Sequence, residues 1–421
     1  MANVQARKNK NGKIISYSIR VHKGRDINGK QLKPYSMTWT VPDGMSEKKI
    51  QTELNKAVVL FEKQCKEGIV ADNKQTFEKY ANYVINLKER NGIKHRTING
   101  YRKIIPRICA EIGHIKLVDL RPQHLNTFYE KLSKDGMNLR TGGKLSNKTI
   151  HEYHCFIRAV LSQAVKELLV PYNVASKATP PKVIRKQANY LEQEDIATVL
   201  KYLEHEPLKW QVAMQLLIFT GCRRSEIVGL KWDKINLKDN TITIDLNVLY
   251  TKDRGVYTDT TKTEASNRVI TYPAELTPLI KQYKKEYSEM RMLFGEKWHN
   301  ENFVFVQETG MAMHPDSLTD YCSKFRKKYN KIIAEYNKDL PQSEQTKLIP
   351  RINPHSFRHS QASLLFFNGN DAITISKRLG HAKVSTTTDI YSHIMQKADE
   401  TASDTLANLF LRSQIKTQKI G

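Results

Sequence analysis

The sequence predicts an α+β, multidomain protein. It reads as a small N-terminal β-sheet plus helix module, an all-helical domain, and a larger, mainly helical domain with a small antiparallel sheet. Three observations predict this. The chain has 421 residues, more than one ordinary hydrophobic core accommodates. Its apolar residues alternate with a period of two near the N-terminus and then recur at helical spacing. A charged Pro–Pro stretch, Thr179-Pro180-Pro181-Lys182, interrupts the helical pattern near the middle. We therefore divide the chain into residues 1–70, 75–178, a linker at 179–187, a domain at 188–412 and a tail at 413–421.

In residues 1–44, Tyr17, Ile19 and Val21 alternate with polar residues, as do Tyr35, Met37, Trp39 and Val41. This is the period of strands with one covered face. A helix is expected next, with Ser46 before it and Ile50, Leu54, Val58 and Phe61 on one side. In the second segment, helices are expected after Thr76, through Tyr80 and Val84, and after Thr97, through Ile104 and Ile105 until Pro106 stops it. A third carries Leu125, Phe128, Tyr129 and Leu132, and a fourth follows Ser146 through Ile157 and Leu161. Three glycines between residues 135 and 144 mark a loop. The linker's prolines resist helix and keep the chain extended.

Composition narrows the function. Lys and Arg number 68 against 43 Asp and Glu, a formal charge of +25. Such a surplus attracts a polyanion, and nucleic acid is the expected partner. The five cysteines, Cys65, Cys109, Cys155, Cys222 and Cys322, are scattered, which argues against a disulfide framework and a zinc site and favours a reducing cytoplasm. No apolar run suits a membrane span, and the polar start, Met1 to Lys13, does not read as a secretory signal. Along the helical segment and linker, Arg96, Arg102, Lys103, Lys148, Arg158, Arg185 and Lys186 are candidate DNA contacts.

Four stretches of the third domain suit phosphodiester chemistry. In Thr220-Gly221-Cys222-Arg223-Arg224-Ser225-Glu226, a long apolar helix ends at Gly221, and Arg223 and Glu226 then share one side of a new turn. Strands with Ile242, Ile244, Leu246 and Val248 follow, and a hairpin is expected from Val256 to Ile270 with Lys262 near its tip. In Asn353-Pro354-His355-Ser356-Phe357-Arg358-His359, Asn353 caps a helix, Pro354 occupies its first position, and His355 and Arg358 project together. Last, Gly380-His381 ends a helix begun near Asp371, and Ser385 opens one bearing Tyr391.

These residue types fit one reaction. A phenol ionises only near pH ~10, so a tyrosine nucleophile must be activated in place. Attack on a phosphate adds negative charge, which two guanidiniums can stabilise. A leaving deoxyribose oxygen needs a proton, which lysine can supply, and histidine can move protons near neutrality. No metal is required, and no cofactor is expected.

In order and spacing, residues 187–395 resemble the tyrosine recombinase family, especially integrases of phages and conjugative transposons. T-G-x-R-x-S-E, the T-K-T hairpin, H-x-x-R-H and L-G-H…T-T-x-x-Y-x-H are all present. The resemblance implies that Arg223 and Arg358 hold the scissile phosphate. It implies that Lys262 protonates the leaving 5′-hydroxyl, that His355 assists proton transfer and that His381 donates to a phosphate oxygen. Tyr391 would form a 3′-phosphotyrosine, and Glu226 would steady Arg223. Residues 75–178 resemble the family's core-binding domain and 1–70 the arm-type DNA-binding domain of its larger members. Arg224 and Phe357 stand where many relatives have aliphatic residues, and Arg224 is a further candidate DNA contact. The partners implied are double-stranded DNA, a homotetramer assembled on it, and DNA-bending accessory proteins. A helix from Thr401 to Leu411 would pack on its own domain or on a neighbour. A catalytically silent DNA-binding relative and a type IB topoisomerase are the alternatives. The silent relative is disfavoured by the complete set of reactive residues, the topoisomerase by the added N-terminal module.

Overall fold

A computed structural model describes residues 2–9, 12–25, 28–66, 75–184, 190–260, 267–381 and 384. The chain divides into two compact units, Met1–Arg185 and Lys186–Gly421. The fold class is the one expected: mostly helical, with small antiparallel sheets near the N-terminus and in the second unit.

The first unit opens with β1 (Asn3–Lys8), β2 (Ile14–Val21) and β3 (Tyr35–Thr40), antiparallel in the order β1-β2-β3. Register sorts the side chains. Val4, Ile19 and Met37 form one cross-strand row and Ala6, Tyr17 and Trp39 another, and on this face Leu54 and Phe61 of α1 (Glu47–Lys66) pack against the β2 and β3 residues. The other face carries the rows Asn3–Arg20–Ser36, Gln5–Ser18–Thr38 and Arg7–Ser16–Thr40. Period two makes this separation automatic once the register is set. The sequence reading did not single out β1, whose residues are all exposed, as an edge strand permits.

Four helices follow: α2 (Phe77–Arg90), α3 (His95–Ile108), α4 (Pro122–Leu132) and α5 (Asn147–Lys166). Their shared core includes Tyr80, Val84, Ile98, Phe128, Tyr129, Ile157 and Leu161. The Ser146 hydroxyl accepts the Thr149 N–H, as a cap should. Thr76 stands at the corresponding position of α2 without a side-chain cap bond. One expectation fails. The second helix does not stop at Pro106: α3 starts at His95, runs through the proline and passes into a π-turn at Cys109–Gly113. A proline inside a helix costs about 3 kcal/mol. Continuing the helix keeps Ile108 and Ile112 on the core face, and each buried isoleucine returns about 1.5–3 kcal/mol.

The second unit is built around α7 (Leu208–Thr220), which buries Val212, Ala213, Met214, Leu216, Leu217 and Ile218 and so is apolar nearly all round. It packs against α6 (Gln193–Leu203), α8 (Arg224–Val228), α9 (Leu276–Phe294) and α11 (Pro354–Phe367), while α10 (Pro315–Tyr336) joins α8 and α11, and α12 (Ala372–Leu379) follows α11.

Between α8 and α9 lie β4 (Ile235–Asn236), β5 (Thr241–Ile244), β6 (Leu246–Thr251), β7 (Gly255–Thr260) and β8 (Arg268–Thr271). Here the expected hairpin from Val256 to Ile270 is corrected. β7 pairs with β6, and β8 pairs with β5 in a second sheet ordered β4-β5-β8. Alternation identifies strands but carries no information about partners, and β6 is joined to β7 by a much shorter turn. Among the described residues, no helix is long and apolar enough to cross a membrane.

Candidate active site

The site grows from the end of α7. The helix stops at Gly221, whose φ of 62° is left-handed. A Cβ there would fall 2.1 Å from Gln361 Oε1 and 2.7 Å from Leu379 Cδ2, so the backbone approach requires glycine. Arg223 then caps α8. Its backbone N–H donates to Glu226 Oε2 at 2.8 Å and its Nη1 to Glu226 Oε1 at 2.7 Å. The three-residue spacing read from sequence thus brings the Glu226 carboxylate back to accept both bonds at the start of α8.

α11 delivers the second guanidinium. The Asn353 side chain accepts the N–H groups of His355 and Ser356, and Pro354 occupies the first turn. Arg358 is 4% exposed. It donates Nη1 to Gly221 O at 2.8 Å and Nη2 to Leu379 O at 2.7 Å. Arg223 donates Nη2 to Gly380 O at 2.9 Å. The two arginines, 135 residues apart in sequence, therefore hang from consecutive carbonyls of one turn, and His381 is the next residue. Asp371 caps α12, which ends at Gly380 with a left-handed φ of 67°.

Three guanidiniums, of Arg223, Arg268 and Arg358, surround one carboxylate, Glu226, which leaves a local surplus of two positive charges. Glu226 is 1% exposed. Burial alone would push its carboxyl up, but the hydrogen bonds and charges of Arg268 and Arg223 hold it at about 2. Burial, then the charge of Arg223, draws Arg358 down to about 10, so it stays cationic at neutral pH. Burial, then Arg358 and Arg223, lowers His381 to about 4. His359 falls to about 4 through burial, then His355 and Arg358. Crowding by protein, then Arg358 and Arg223, also lowers His355, whose ring still reaches solvent. The imidazoles are thus neutral at physiological pH, beside a concentration of fixed positive charge.

Arg223, Glu226, His355, Arg358 and His381 come together as the sequence implied. Lys262 and Tyr391 lie outside the described residues, as do Arg185, Lys186, Ser385 and the expected helix from Thr401 to Leu411. Arg96, Arg102, Lys103, Lys148 and Arg158 are exposed on α3 and α5, and Arg102 pairs with Glu89. Arg224 is not a free surface cation: its Nη1 donates to Asp316 Oδ1 at 2.5 Å and Thr319 Oγ1 at 2.9 Å, tying α8 to α10. Among the described residues, no group of three or more His, Cys, Asp or Glu side chains could hold a metal.

The sequence reading assigned no role to Arg268. This residue donates Nη2 to Glu226 Oε2 at 2.8 Å, Nη1 to Oε1 at 3.3 Å and Nε to Arg378 O at 2.8 Å. A signal was available: Arg268 is two residues from buried Ile270 on one strand, so the alternation turns it inward.

The phage integrase family model matches residues 189–398, and the model of the phage integrase N-terminal SAM-like domain matches residues 76–133. A XerC-like tyrosine recombinase of Caldanaerobacter subterraneus is 26% identical over 424 residues, covering 96% of this chain and 98% of the relative. The ICEBs1 integrase of Bacillus subtilis is 26% identical over 342 residues, covering 80% of this chain and 79% of that one. Among solved structures, the Tn1549 transposon integrase in complex with transposon right end DNA superposes with a TM-score of 0.62. Its identity is 20%, over 79% of this chain and all of that one. A lambda integrase dimer bound to a core site gives a TM-score of 0.50 at 13% identity, over 91% of this chain and 93% of that one. These structures share the fold, and the residues matched by the phage integrase family model include Arg223, Arg358 and Tyr391. The chain belongs to the phage integrase family, the tyrosine recombinases, enzymes that cleave and rejoin DNA.

Proposed function

We propose that this chain is the integrase of a mobile element of the conjugative-transposon type, acting at specific sites through a covalent 3′-phosphotyrosyl intermediate. Tyr391 attacks the scissile phosphorus, Arg223 and Arg358 hold the non-bridging oxygens, and Lys262 gives its proton to the departing 5′-oxygen. His355 moves the phenol proton and His381 donates to a phosphate oxygen. The ester keeps the bond energy, so a 5′-hydroxyl of a second strand can reseal the backbone without ATP.

The observation that carries this reading is the buried surplus of positive charge around Glu226. Arg223 and Arg358 spend only part of their donors on Glu226 and the turn carbonyls, and Arg223 remains a third exposed. Isolated charge of this kind is costly unless an anion completes it, and it strengthens as negative charge develops on that anion. The relatives from an integrative element and a transposon support the mobile-element reading.

In the same reading, residues 75–178 clasp the core site with Arg96, Arg102, Lys103, Lys148 and Arg158, while residues 1–70 contact arm-type sites. The polar face of β1–β3 carries exposed Arg7 and Arg20, which suit phosphate oxygens. A homotetramer on two duplexes, with DNA-bending proteins assisting, completes the proposal; a lambda integrase tetramer on a Holliday junction is a fold relative at TM-score 0.50.

A suicide duplex nicked near the crossover tests the chemistry. A covalent protein–DNA adduct is expected from the unaltered chain and none from Tyr391→Phe. Equal absence of adduct would overturn the reading. Deleting residues 1–70 should remove a second class of footprints and leave core-site cleavage; unchanged footprints would remove the arm-binding role.

A further inference from the structure

The largest feature outside the roles assigned above is Arg268. It is 7% exposed and Glu226 is 1% exposed, so neither meets DNA directly. The Glu226 carboxylate nevertheless decides how much of Arg223 is available. It accepts the Arg223 backbone N–H and Nη1, and it accepts two further bonds from Arg268. Without Arg268, this carboxylate would have Arg223 as its one hydrogen-bonded guanidinium. The Arg223–Glu226 pair would then be formally neutral, and a phosphate would meet the net charge of Arg358 alone.

The same guanidinium has a second attachment. Its Nε donates to Arg378 O, and its Nη1 lies 2.8 Å from where a Cβ of Gly380 would stand, so it packs against the turn at Gly380. Both Arg223 and Arg358 are bonded to that turn. A planar fork can serve a carboxylate and a carbonyl at once, whereas an ammonium group offers charge without that geometry.

We infer that Arg268 is a positioning residue of the cleavage reaction: it shares the charge of Glu226 with Arg223, so that Arg223 keeps net positive charge for the phosphate, and it sets the turn from which both phosphate-holding arginines hang. The inference rests on the proposed reading of the site.

The test is single-turnover cleavage of the suicide duplex by the full chain, with DNA affinity measured separately. Arg268→Gln is expected to slow cleavage by about 10-fold to 100-fold while affinity stays within about two-fold, because the lost interaction acts on the reacting phosphate. Adding Glu226→Gln to Arg268→Gln removes the uncompensated carboxylate, and this double variant should cleave faster than Arg268→Gln alone. Arg268→Lys keeps the charge without the Nε bond and should fall between Arg268→Gln and the unaltered chain; melting curves establish that each variant is folded. A merely structural tie predicts the reverse ordering, with the double variant no faster than the single. That ordering, or wild-type cleavage by Arg268→Gln, overturns the inference while the cleavage reading stands. No adduct from the unaltered chain would overturn the cleavage reading itself, and this inference with it.

Discussion

Two glutamates in this chain, Glu89 and Glu226, meet arginines at similar distances and in different surroundings. Arg102 and Glu89 meet at 2.5 Å on the helical segment, with side chains 48% and 41% exposed. Glu226 meets Arg268 at 2.8 Å and Arg223 at 2.7 Å inside the second unit, with Glu226 1% exposed. Distance alone would rank them alike. Water screens the first pair, so its net contribution is small. Around Glu226 there is little water to take over either charge, so the partners are committed to one another and the surplus of positive charge persists.

Four substitutions or conditions sharpen that contrast. The largest effect is expected from Glu226→Ala. It leaves neighbouring guanidiniums uncompensated in the interior and should cost about 3–5 kcal/mol of stability, read by urea unfolding of the full chain. A loss below about 1 kcal/mol would mean that water already screens the site.

Gly221→Ala comes next. The added methyl collides with Gln361 Oε1 and Leu379 Cδ2 on a backbone that disfavours side chains, and a loss of about 3 kcal/mol is expected in the same measurement. Unchanged stability would show that the α7–α11–α12 junction is loose.

The pH effect is smaller and has a definite sign. His381 and His359 are lowered from 6.5 to about 4, and Glu226 from 4.5 to about 2. Depressed values mean that their stabilisation is complete above the ordinary value and is lost as pH falls through the folded one. Melting temperature should therefore fall from about pH 6.5 toward pH 4 as the histidines are forced to protonate, and further below as Glu226 follows. A flat profile across the histidine range would contradict the burial of these rings among guanidiniums.

The smallest effect belongs to the exposed pair. Glu89→Gln should change stability by less than about 0.5 kcal/mol, because Arg102 simply returns to water. A loss comparable with that of Glu226→Ala would erase the distinction between the two glutamates.

What the sequence made legible follows the same division between local and distant. Helix ends were readable because their causes sit within a few residues: Asn353 with Pro354, Ser146 with Thr149, Gly221 and Gly380 in left-handed turns. Arg223 and Glu226 were readable for the same reason, three residues apart on one turn. Arg268 was not, since its carboxylate partner lies 42 residues away, across a strand pairing that alternation does not specify. The pairing of β8 with β5 was missed on identical grounds. Pro106 was misjudged because a local rule about proline was outweighed by burial of Ile108 and Ile112 against helices distant in sequence.

The central claim is that a phenol oxygen becomes bonded to DNA beside the paired guanidiniums of Arg223 and Arg358. Mass spectrometry of the peptides from a trapped protein–DNA adduct tests it most directly. A nucleotide is expected on the side chain of Tyr391, and it should disappear from the spectrum when Arg358 is changed to Gln. A nucleotide carried by any other side chain would contradict it.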